Sequence, residues 1–175
     1  MATEPNLVLT GFMGTGKTTV GQQLARVLGM SFVDTDELIE SRHGPISQIF
    51  EEEGEAAFRQ IEREVARELG NRGGKVIATG GHMLLDPDNL DALGGSARIF
   101  CLTASADEIY QRVTEDTNRQ DRPLLQVDDA PRRIIQLMAE RAADYQRFEQ
   151  VSTEGLSADA VAEEIARRWR VPQDR

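Results

Sequence analysis

The sequence predicts an α/β fold, a single domain of three α/β/α layers around a five-stranded parallel sheet. Three observations lead to this prediction. Apolar segments of strand length alternate with longer segments of helical periodicity. The strand segments are apolar or β-branched at almost every position, which is typical of strands buried on both faces of a parallel sheet. The 175 residues (1–175) are enough for one domain to bury a core of its own.

Five strand segments and six helical segments account for most of the chain. The predicted strands are 6–11, 31–34, 75–79, 97–103 and 149–153, and the predicted helices are 17–29, 36–43, 46–70, 105–115, 132–148 and 158–170. The first helix follows the strand NLVLTG and ends at Gly29, a residue suited to terminating a helix. The segments KVIAT and ARIFCLT are the most continuously apolar, so we expect both faces of these two strands to be buried.

One long polar segment interrupts the alternation. The stretch EDTNRQDRPLLQVDDA (115–130) lies between two predicted helices and carries Arg119, Arg122 and Pro123. A loop of this length inside a compact domain is usually a functional lid or a disordered linker. Its position alone leaves both alternatives open.

The composition limits the classes of partner. Twenty Lys and Arg residues against thirty Asp and Glu residues give a formal net charge of −10. Because nucleic-acid binding depends on clustered Lys and Arg that neutralise phosphates, we expect no nucleic-acid partner. A small anionic ligand is compatible with this balance, since a local group of arginines can lie within an acidic protein.

Compartment and redox state follow from two further features. The single cysteine, Cys101, cannot form an internal disulfide, and the surrounding RIFCLT predicts a buried core position. The first residues lack the basic and apolar regions of a signal peptide, and no apolar run approaches the roughly 18 residues of a membrane span. We therefore expect a cytoplasmic protein that does not bind membranes.

The segment GFMGTGKT contains the most specific motif of the chain. Gly11, Gly16, Lys17 and Thr18 satisfy the P-loop pattern G-x-x-x-x-G-K-[ST]. The glycines let the backbone wrap around phosphate oxygens with its N–H groups pointing inward. Lysine then reaches the β- and γ-phosphates, and the threonine hydroxyl binds Mg²⁺. The motif follows a predicted strand and opens a predicted helix, so it indicates a nucleoside triphosphate site.

The remaining motifs favour a kinase among P-loop proteins. No N-K-x-D tetrapeptide for guanine recognition is present, and DALG (91–94), which matches D-x-x-G, precedes a strand instead of following one. A motor or AAA-type machine needs a longer chain. A small-molecule kinase is therefore the favoured class.

Two aspartates mark the end of the second strand. Asp34 and Asp36 lie at the carboxyl end of that strand, where ligands of open α/β sheets collect. One carboxylate can hold Mg²⁺ while the other accepts the proton of an attacking hydroxyl. The alternative is that one of them caps the next helix, for which Asp36 is well placed. Spacing alone leaves both readings open.

Two arginines lie on helical segments with apolar stripes. In GEAAFRQIEREVARELG the stripe consists of Phe58, Ile61, Val65 and Leu69. Arg59 lies at its edge, where it either binds a ligand or pairs with Glu55 or Glu62 on the surface. The later segment RRIIQLMAERAADYQRF has an apolar face of Ile134, Met138, Tyr145 and Phe148, and Arg141 falls in the middle of it. An arginine there either binds an anion or forms a structural ion pair.

Two glycines follow the third strand. Gly80 and Gly81 in ATGGHML indicate either a close approach of the backbone to a ligand or a tight turn into the next element.

Taken together and in this order, these segments resemble the shikimate kinase family of P-loop proteins over essentially the whole chain. GFMGTGKTTVG resembles its phosphate loop, FVDTDELIE its Asp-x-Asp motif, and IFEEEGEAAFRQIE the segment of its first substrate arginine. ATGG resembles its glycine turn, DRPLL its lid, and LMAERAADY the segment of its second substrate arginine. Apart from the P-loop each motif is weak by itself, whereas six in the right order are highly specific.

The resemblance implies an activity with its partners. The family phosphorylates the 3-hydroxyl of shikimate with ATP and Mg²⁺ in aromatic amino-acid biosynthesis, and we expect a monomer. The lid would span about 115–130 and the substrate-binding segment about 34–62. The implied ATP contacts are Gly14, Thr15, Gly16, Lys17, Thr18, Thr19 and Arg122. Asp34 would hold Mg²⁺ through water beside Thr18, and Arg122 would close with the lid onto the phosphates.

The resemblance also assigns the acceptor side. Asp36 would bind the reacting hydroxyl and orient or deprotonate it, which makes it catalytic together with Lys17 and Arg122. Arg59 and Arg141 would hold the shikimate carboxylate, since bidentate arginine suits a carboxylate. Gly80–Gly81 would provide backbone contacts to the ring.

The sequence departs from the family pattern at two places. His82 stands where the glycine turn normally has a third glycine, which bears on the choice of acceptor. The loop STEGLSADA lacks the arginine that the family usually carries near adenine, so Arg112, on the helix before the lid, is the candidate for stacking on adenine.

Two alternatives to shikimate kinase remain. The first is another small-molecule kinase of the same group, such as a gluconate kinase. The Asp-x-Asp motif and the two arginines disfavour it, whereas His82 keeps it open. The second is a catalytically silent relative that binds nucleotide as a switch or partner module, although such a relative has no chemical need for all the catalytic residues found here.

Overall fold

The protein is described by a computed structural model that covers residues 4–95, 97–115 and 129–171. Five parallel strands form one sheet in the order β2-β3-β1-β4-β5. The strands are β1 (Leu7–Gly11), β2 (Ser31–Asp34), β3 (Lys75–Ala78), β4 (Arg98–Thr103) and β5 (Glu149–Ser152). The predicted five-stranded parallel sheet is confirmed.

Helices cover the sheet on both sides. They are α1 (Lys17–Leu28), α2 (Thr35–His43), α3 (Ile46–Glu52), α4 (Glu55–Gly70), α5 (Pro87–Gly94), α6 (Ala106–Glu115), α7 (Ala130–Gln146) and α8 (Ala158–Trp169), with a 3₁₀ turn at Met83–Leu85. Among the described residues no helix has both the length and the apolar character needed to span a membrane.

The central strand β1 divides the core. All five of its residues are buried, and successive side chains point to opposite faces of the sheet. Leu7 and Leu9 pack with α1 and α8 on one face, whereas Val8 packs with α2 and α4 on the other. A third cluster, which includes Phe12 and Cys101, packs beneath α6 and α7. The three-layer arrangement follows from this division.

Two predicted elements are corrected. The helix predicted over 46–70 is two helices, because α3 ends at Glu52 and Gly54 adopts a φ of 85° that a continuous helix does not allow. Helix α5 was not predicted, although Asp86 caps it through the Asp88 N–H and proline follows at its first position. Gly54 and the Asp86-Pro87 pair are thus the local sequence signals for these two features.

Cys101 occupies the predicted core position. Its side chain is 1% exposed, and burial raises the pKa of the thiol to about 11. The segment 116–128, with Arg119, Arg122 and Pro123, lies outside the described residues, so the predicted lid stays a prediction.

Asn6 fixes the amino-terminal ends of the central strands. Its buried side-chain Nδ2 donates to the carbonyls of Leu69, at 3.1 Å, and Arg72, at 2.7 Å. Its Oδ1 accepts from the Lys75 N–H at 3.0 Å. One side chain therefore joins the end of α4 to the starts of β1 and β3.

We expect Asn6→Ala to lower the free energy of unfolding by about 2–4 kcal/mol, because three backbone groups lose the buried side chain that bonds them. Urea denaturation followed by circular dichroism measures the change. Asn71→Ala, at an exposed position nearby, is the matched control and should cost less than about 0.5 kcal/mol. Equal losses in the two variants would contradict the anchoring role of Asn6.

Candidate active site

The P-loop connects β1 to α1 through three glycines with positive φ. Gly11, Gly14 and Gly16 have φ values of 133°, 73° and 91°, which side-chain-bearing residues rarely adopt. A Cβ on Gly11 would also lie 2.3 Å from the Leu102 carbonyl oxygen. The Thr15 hydroxyl donates to the Phe12 carbonyl at 2.7 Å and closes the loop on itself. The glycines of the motif are thus required by the path of the backbone.

Lys17 folds back over the loop. Its Nζ donates to the carbonyls of Gly11, at 2.8 Å, and Phe12, at 2.9 Å. Helix α1 begins at Lys17 without a side-chain cap, so its first N–H groups point to the space that the loop encloses. Thr19 lies exposed in the first turn of the same helix. A helix N-terminus with a lysine beside it is suited to bind phosphate.

Thr18 and Asp34 meet at the carboxyl edge of the sheet. The Thr18 hydroxyl donates to Asp34 Oδ2 at 2.6 Å. The other carboxylate oxygen of Asp34 accepts from the N–H groups of Asp36, at 3.0 Å, and Glu37, at 3.2 Å. Asp34 is therefore the residue that caps α2, and the expectation that Asp36 is well placed to cap this helix was wrong.

This hydroxyl and carboxylate suit a hard cation. Within the described ranges no group of three or more His, Cys, Asp or Glu residues could hold a metal ion. Mg²⁺ in nucleotide sites characteristically takes one or two protein oxygens and completes its shell with phosphates and water. Thr18 and Asp34 fit that donor set.

Asp36 lies against the glycine turn. A Cβ on Gly80 would be 2.8 Å from Asp36 Oδ1, so only glycine fits there without movement of the carboxylate. Burial raises the pKa of Asp36 to about 6, the negative charge of Asp34 adds to the rise, and the Lys17 ammonium opposes it. The fold thus places Asp36 within electrostatic reach of the phosphate loop and beside the turn that follows β3.

The glycine turn is anchored by two residues that sequence analysis did not assign to the site. The Gly80 N–H donates to Thr35 Oγ1 at 3.0 Å. The Tyr145 hydroxyl donates to the Gly81 carbonyl. Thr35 carried no signal beyond its position between the two aspartates, and Tyr145 was predicted only as part of an apolar face.

Arg59 makes both of the ion pairs considered for it. Its Nη1 lies 2.7 Å from Glu62 Oε2, and its Nη2 lies 3.0 Å from Glu55 Oε1. Glu62 is 2% exposed, and burial raises its pKa while Arg59 opposes the rise. The charge of Glu62 also contributes to the raised pKa of Asp36.

Arg141 reaches from α7 to the ends of two strands. Its guanidinium carbon lies 5.5 Å from the centre of the Phe12 ring, and its Nη1 lies 3.7 Å from the position a Cβ would take on Gly81. The half-buried Arg141 therefore lies beside both the glycine turn and the start of the phosphate loop.

His82 keeps an ordinary backbone conformation, with a φ of −100°. The ring is half-buried, and its buried Nδ1 has no hydrogen-bond partner within the described part of the chain. Burial lowers the pKa of His82, and the charges of Arg59 and Arg141 lower it further. A neutral imidazole thus lies within electrostatic range of both arginines.

Arg112 contacts the phosphate loop from α6. Its Nη1 donates to the Gly14 carbonyl at 3.3 Å and to Thr153 Oγ1 at 2.9 Å. Its Nη2 lies 2.7 Å from Glu108 Oε1. These contacts join α6 to the loop after β5, and stacking of Arg112 on adenine stays a prediction. Arg122 lies outside the described residues.

We expect Asp36→Asn to stabilise the fold at neutral pH. Asp36 has an ordinary pKa of 3.8 and a pKa of about 6 in the folded protein. Because the folded-state pKa is the higher one, ionisation of this carboxyl opposes folding. The resulting loss of unfolding free energy is absent below about pH 4 and grows between about pH 4 and pH 6. Above about pH 6 it levels off at roughly 2–3 kcal/mol.

Urea denaturation of both proteins between about pH 4 and pH 8 measures this difference. The free energies of unfolding should coincide at the acidic end and diverge in favour of Asp36→Asn toward the alkaline end. Asp91→Asn, at an exposed position on α5, should show no such divergence. A difference that is constant with pH would show that the charge of Asp36 is not its cause.

Known proteins resemble the chain in sequence and in fold. The shikimate kinase family model matches residues 13–170. A shikimate kinase of Thermodesulfovibrio yellowstonii is 44% identical over 166 residues, which are 94% of this chain and 94% of that protein. The structure of shikimate kinase from Acinetobacter baumannii in complex with shikimate superimposes with a TM-score of 0.87 at 35% identity, covering 95% of this chain and 93% of the other.

A gluconokinase structure from Sinorhizobium meliloti gives a lower TM-score of 0.60 at 16% identity, over 95% of this chain and 97% of that chain. A likeness at that identity shows the fold alone, so it does not support the gluconate kinase alternative. The matched range includes the phosphate loop from Met13, both aspartates and both arginines. The chain belongs to the shikimate kinase family.

Proposed function

We propose that the chain transfers the γ-phosphoryl group of ATP to the 3-hydroxyl of shikimate, with Mg²⁺ as cofactor. One observation carries the proposal. Asp36 adjoins Gly80, Arg141 lies 3.7 Å from the side-chain position of Gly81, and both face the phosphate loop at the same edge of the sheet. A base, an anion-binding group and a phosphate site thus converge. The relative from Acinetobacter baumannii was solved with shikimate, which supports this acceptor.

The nucleotide side would use the loop and its helix. The backbone N–H groups from Gly14 to Thr19 would surround the phosphates, and Lys17 would leave its contacts with the loop carbonyls to reach the transferred group. Mg²⁺, held by Thr18 and through water by Asp34, would neutralise charge on the β- and γ-phosphate oxygens. Arg112, which donates a hydrogen bond to the Gly14 carbonyl, would lie beside adenine. Arg122 would close onto the phosphates from the lid.

The acceptor side would use Asp36 as the group that orients the hydroxyl and accepts its proton. A general base works best with a pKa near the working pH, and burial gives Asp36 a pKa of about 6. Arg141 and Arg59 would hold the carboxylate of shikimate, which fixes the ring against the Gly80–Gly81 backbone. For Arg59 this requires sharing its guanidinium between the substrate and Glu62.

We expect ADP release that depends on shikimate. A coupled assay with Mg-ATP would compare shikimate, gluconate and no acceptor, and only shikimate should increase turnover strongly. Gluconate-dependent turnover of the wild type would favour the other small-molecule kinase. ATP binding without turnover on any acceptor would favour a silent relative.

Asp36→Asn should reduce turnover with shikimate by about 10²- to 10⁴-fold while ATP binding persists, because the variant loses the base and keeps the phosphate loop.

The rate should depend on pH through Asp36. We expect kcat/KM for shikimate to rise about tenfold per pH unit below pH 6 and to level off above it, since only the ionised carboxylate can accept the proton. Initial rates between about pH 5 and pH 8 test this, with circular dichroism to verify that the protein stays folded. A flat profile across that range would rule out Asp36 as the base.

A further inference from the structure

Tyr145 lies on the same face of α7 as Arg141, one helical turn further along. The residue is only 7% exposed, and a phenol buried to this extent needs a hydrogen-bond partner for its hydroxyl. The hydroxyl donates to the carbonyl of Gly81. A residue of the helix that carries the second arginine therefore contacts the backbone of the glycine turn directly.

The same hydroxyl and the Arg141 guanidinium lie against one glycine. At Gly81 the position of a Cβ would be 3.7 Å from Arg141 Nη1 and 3.8 Å from the Tyr145 hydroxyl oxygen. Burial raises the pKa of Tyr145, and the charge of Arg141 offsets part of that rise. The hydroxyl therefore holds the glycine against which the guanidinium lies.

The Arg141 guanidinium also lies near an aromatic ring. Its carbon is 5.5 Å from the centre of the Phe12 ring, at the start of the phosphate loop. The glycine turn has its own second anchor, because the Gly80 N–H donates to Thr35 Oγ1 at 3.0 Å. Without the Tyr145 hydroxyl, Phe12 would still face Arg141 and Thr35 would still hold Gly80, but the hydrogen bond that joins the helix of Arg141 to the Gly81 carbonyl would be lost.

We propose that Tyr145 is a positioning residue that holds Arg141 and the Gly80–Gly81 turn in register for the carboxylate-bearing acceptor. It acts through Arg141 and the Gly81 carbonyl and does not itself contact reacting atoms. The inference rests on the proposed function. It assigns to the acceptor site a residue that the sequence marks only as apolar.

Tyr145→Phe removes the hydroxyl and keeps the ring that packs in the core. We expect KM for shikimate to rise roughly five- to tenfold, in line with the loss of one hydrogen bond at the site. The values of kcat and of KM for ATP should change less than about twofold, because the phosphate loop and Asp36 keep their contacts. Tyr110→Phe, at the other tyrosine of the chain, is the matched control and should leave all three constants unchanged.

A double-mutant cycle tests whether Tyr145 acts through Arg141. In an Arg141→Lys background, Tyr145→Phe should add less than about a twofold increase in KM for shikimate, because the planar donor that the phenol aligns is gone. A full and independent increase in that background would overturn the action through Arg141.

Two outcomes separate the inference from the proposed function. If the wild type responds to shikimate and Tyr145→Phe lowers only the melting temperature, with an unchanged KM, Tyr145 is structural and the inference is wrong. If the wild type shows no response to shikimate, the proposed function fails, and the positioning role fails with it because no acceptor carboxylate is being aligned.

Discussion

The site depends on close contacts at the carboxyl ends of the strands. There the backbone of two glycines lies nearer to neighbouring groups than a residue with a Cβ would allow. Gly11 lies so near the Leu102 carbonyl that any side chain would collide with it. A side chain at Gly80 would likewise collide with the Asp36 carboxylate. These contacts bring the phosphate loop and the acceptor side to one edge of the sheet. The parallel order of the strands makes this possible, since all their carboxyl ends meet there.

The second constraint is electrostatic. The chain carries a net charge of −10, yet Lys17 and Arg59 lie near the half-buried carboxylate of Asp36 and the buried carboxylate of Glu62. Removal from water makes each carboxylate costly to ionise, and a nearby cation offsets part of that cost. For Asp36 the Lys17 ammonium offsets only part of the rise, so its pKa stays at about 6. Such a group weakens the fold at neutral pH, a compromise found often at functional sites.

Sequence reasoning succeeded where the determinant is local. The P-loop, its strand and helix, and the placement of Asp34 and Asp36 after β2 follow from short-range pattern and from the edge rule of parallel sheets. Contacts between residues distant in the chain were not predicted. The Thr18 hydroxyl donates to the Asp34 carboxylate that caps α2, sixteen residues away, and the Tyr145 hydroxyl contacts Gly81 only once α7 lies against the turn after β3. The break at Gly54 and helix α5 are different cases, because glycine and the Asp-Pro pair were available signals.

The central position of β1 has a consequence for biosynthesis. This strand is an early segment of the chain, but its neighbours in the sheet are β3 and β4, and Gly11 pairs with Leu102. Residues leave the ribosome in order, so the phosphate loop cannot acquire its final surroundings until β4, which ends at Thr103, has emerged. Until then at least one edge of β1 lacks its partner strand, and an apolar strand with an open edge is a template for incorrect pairing.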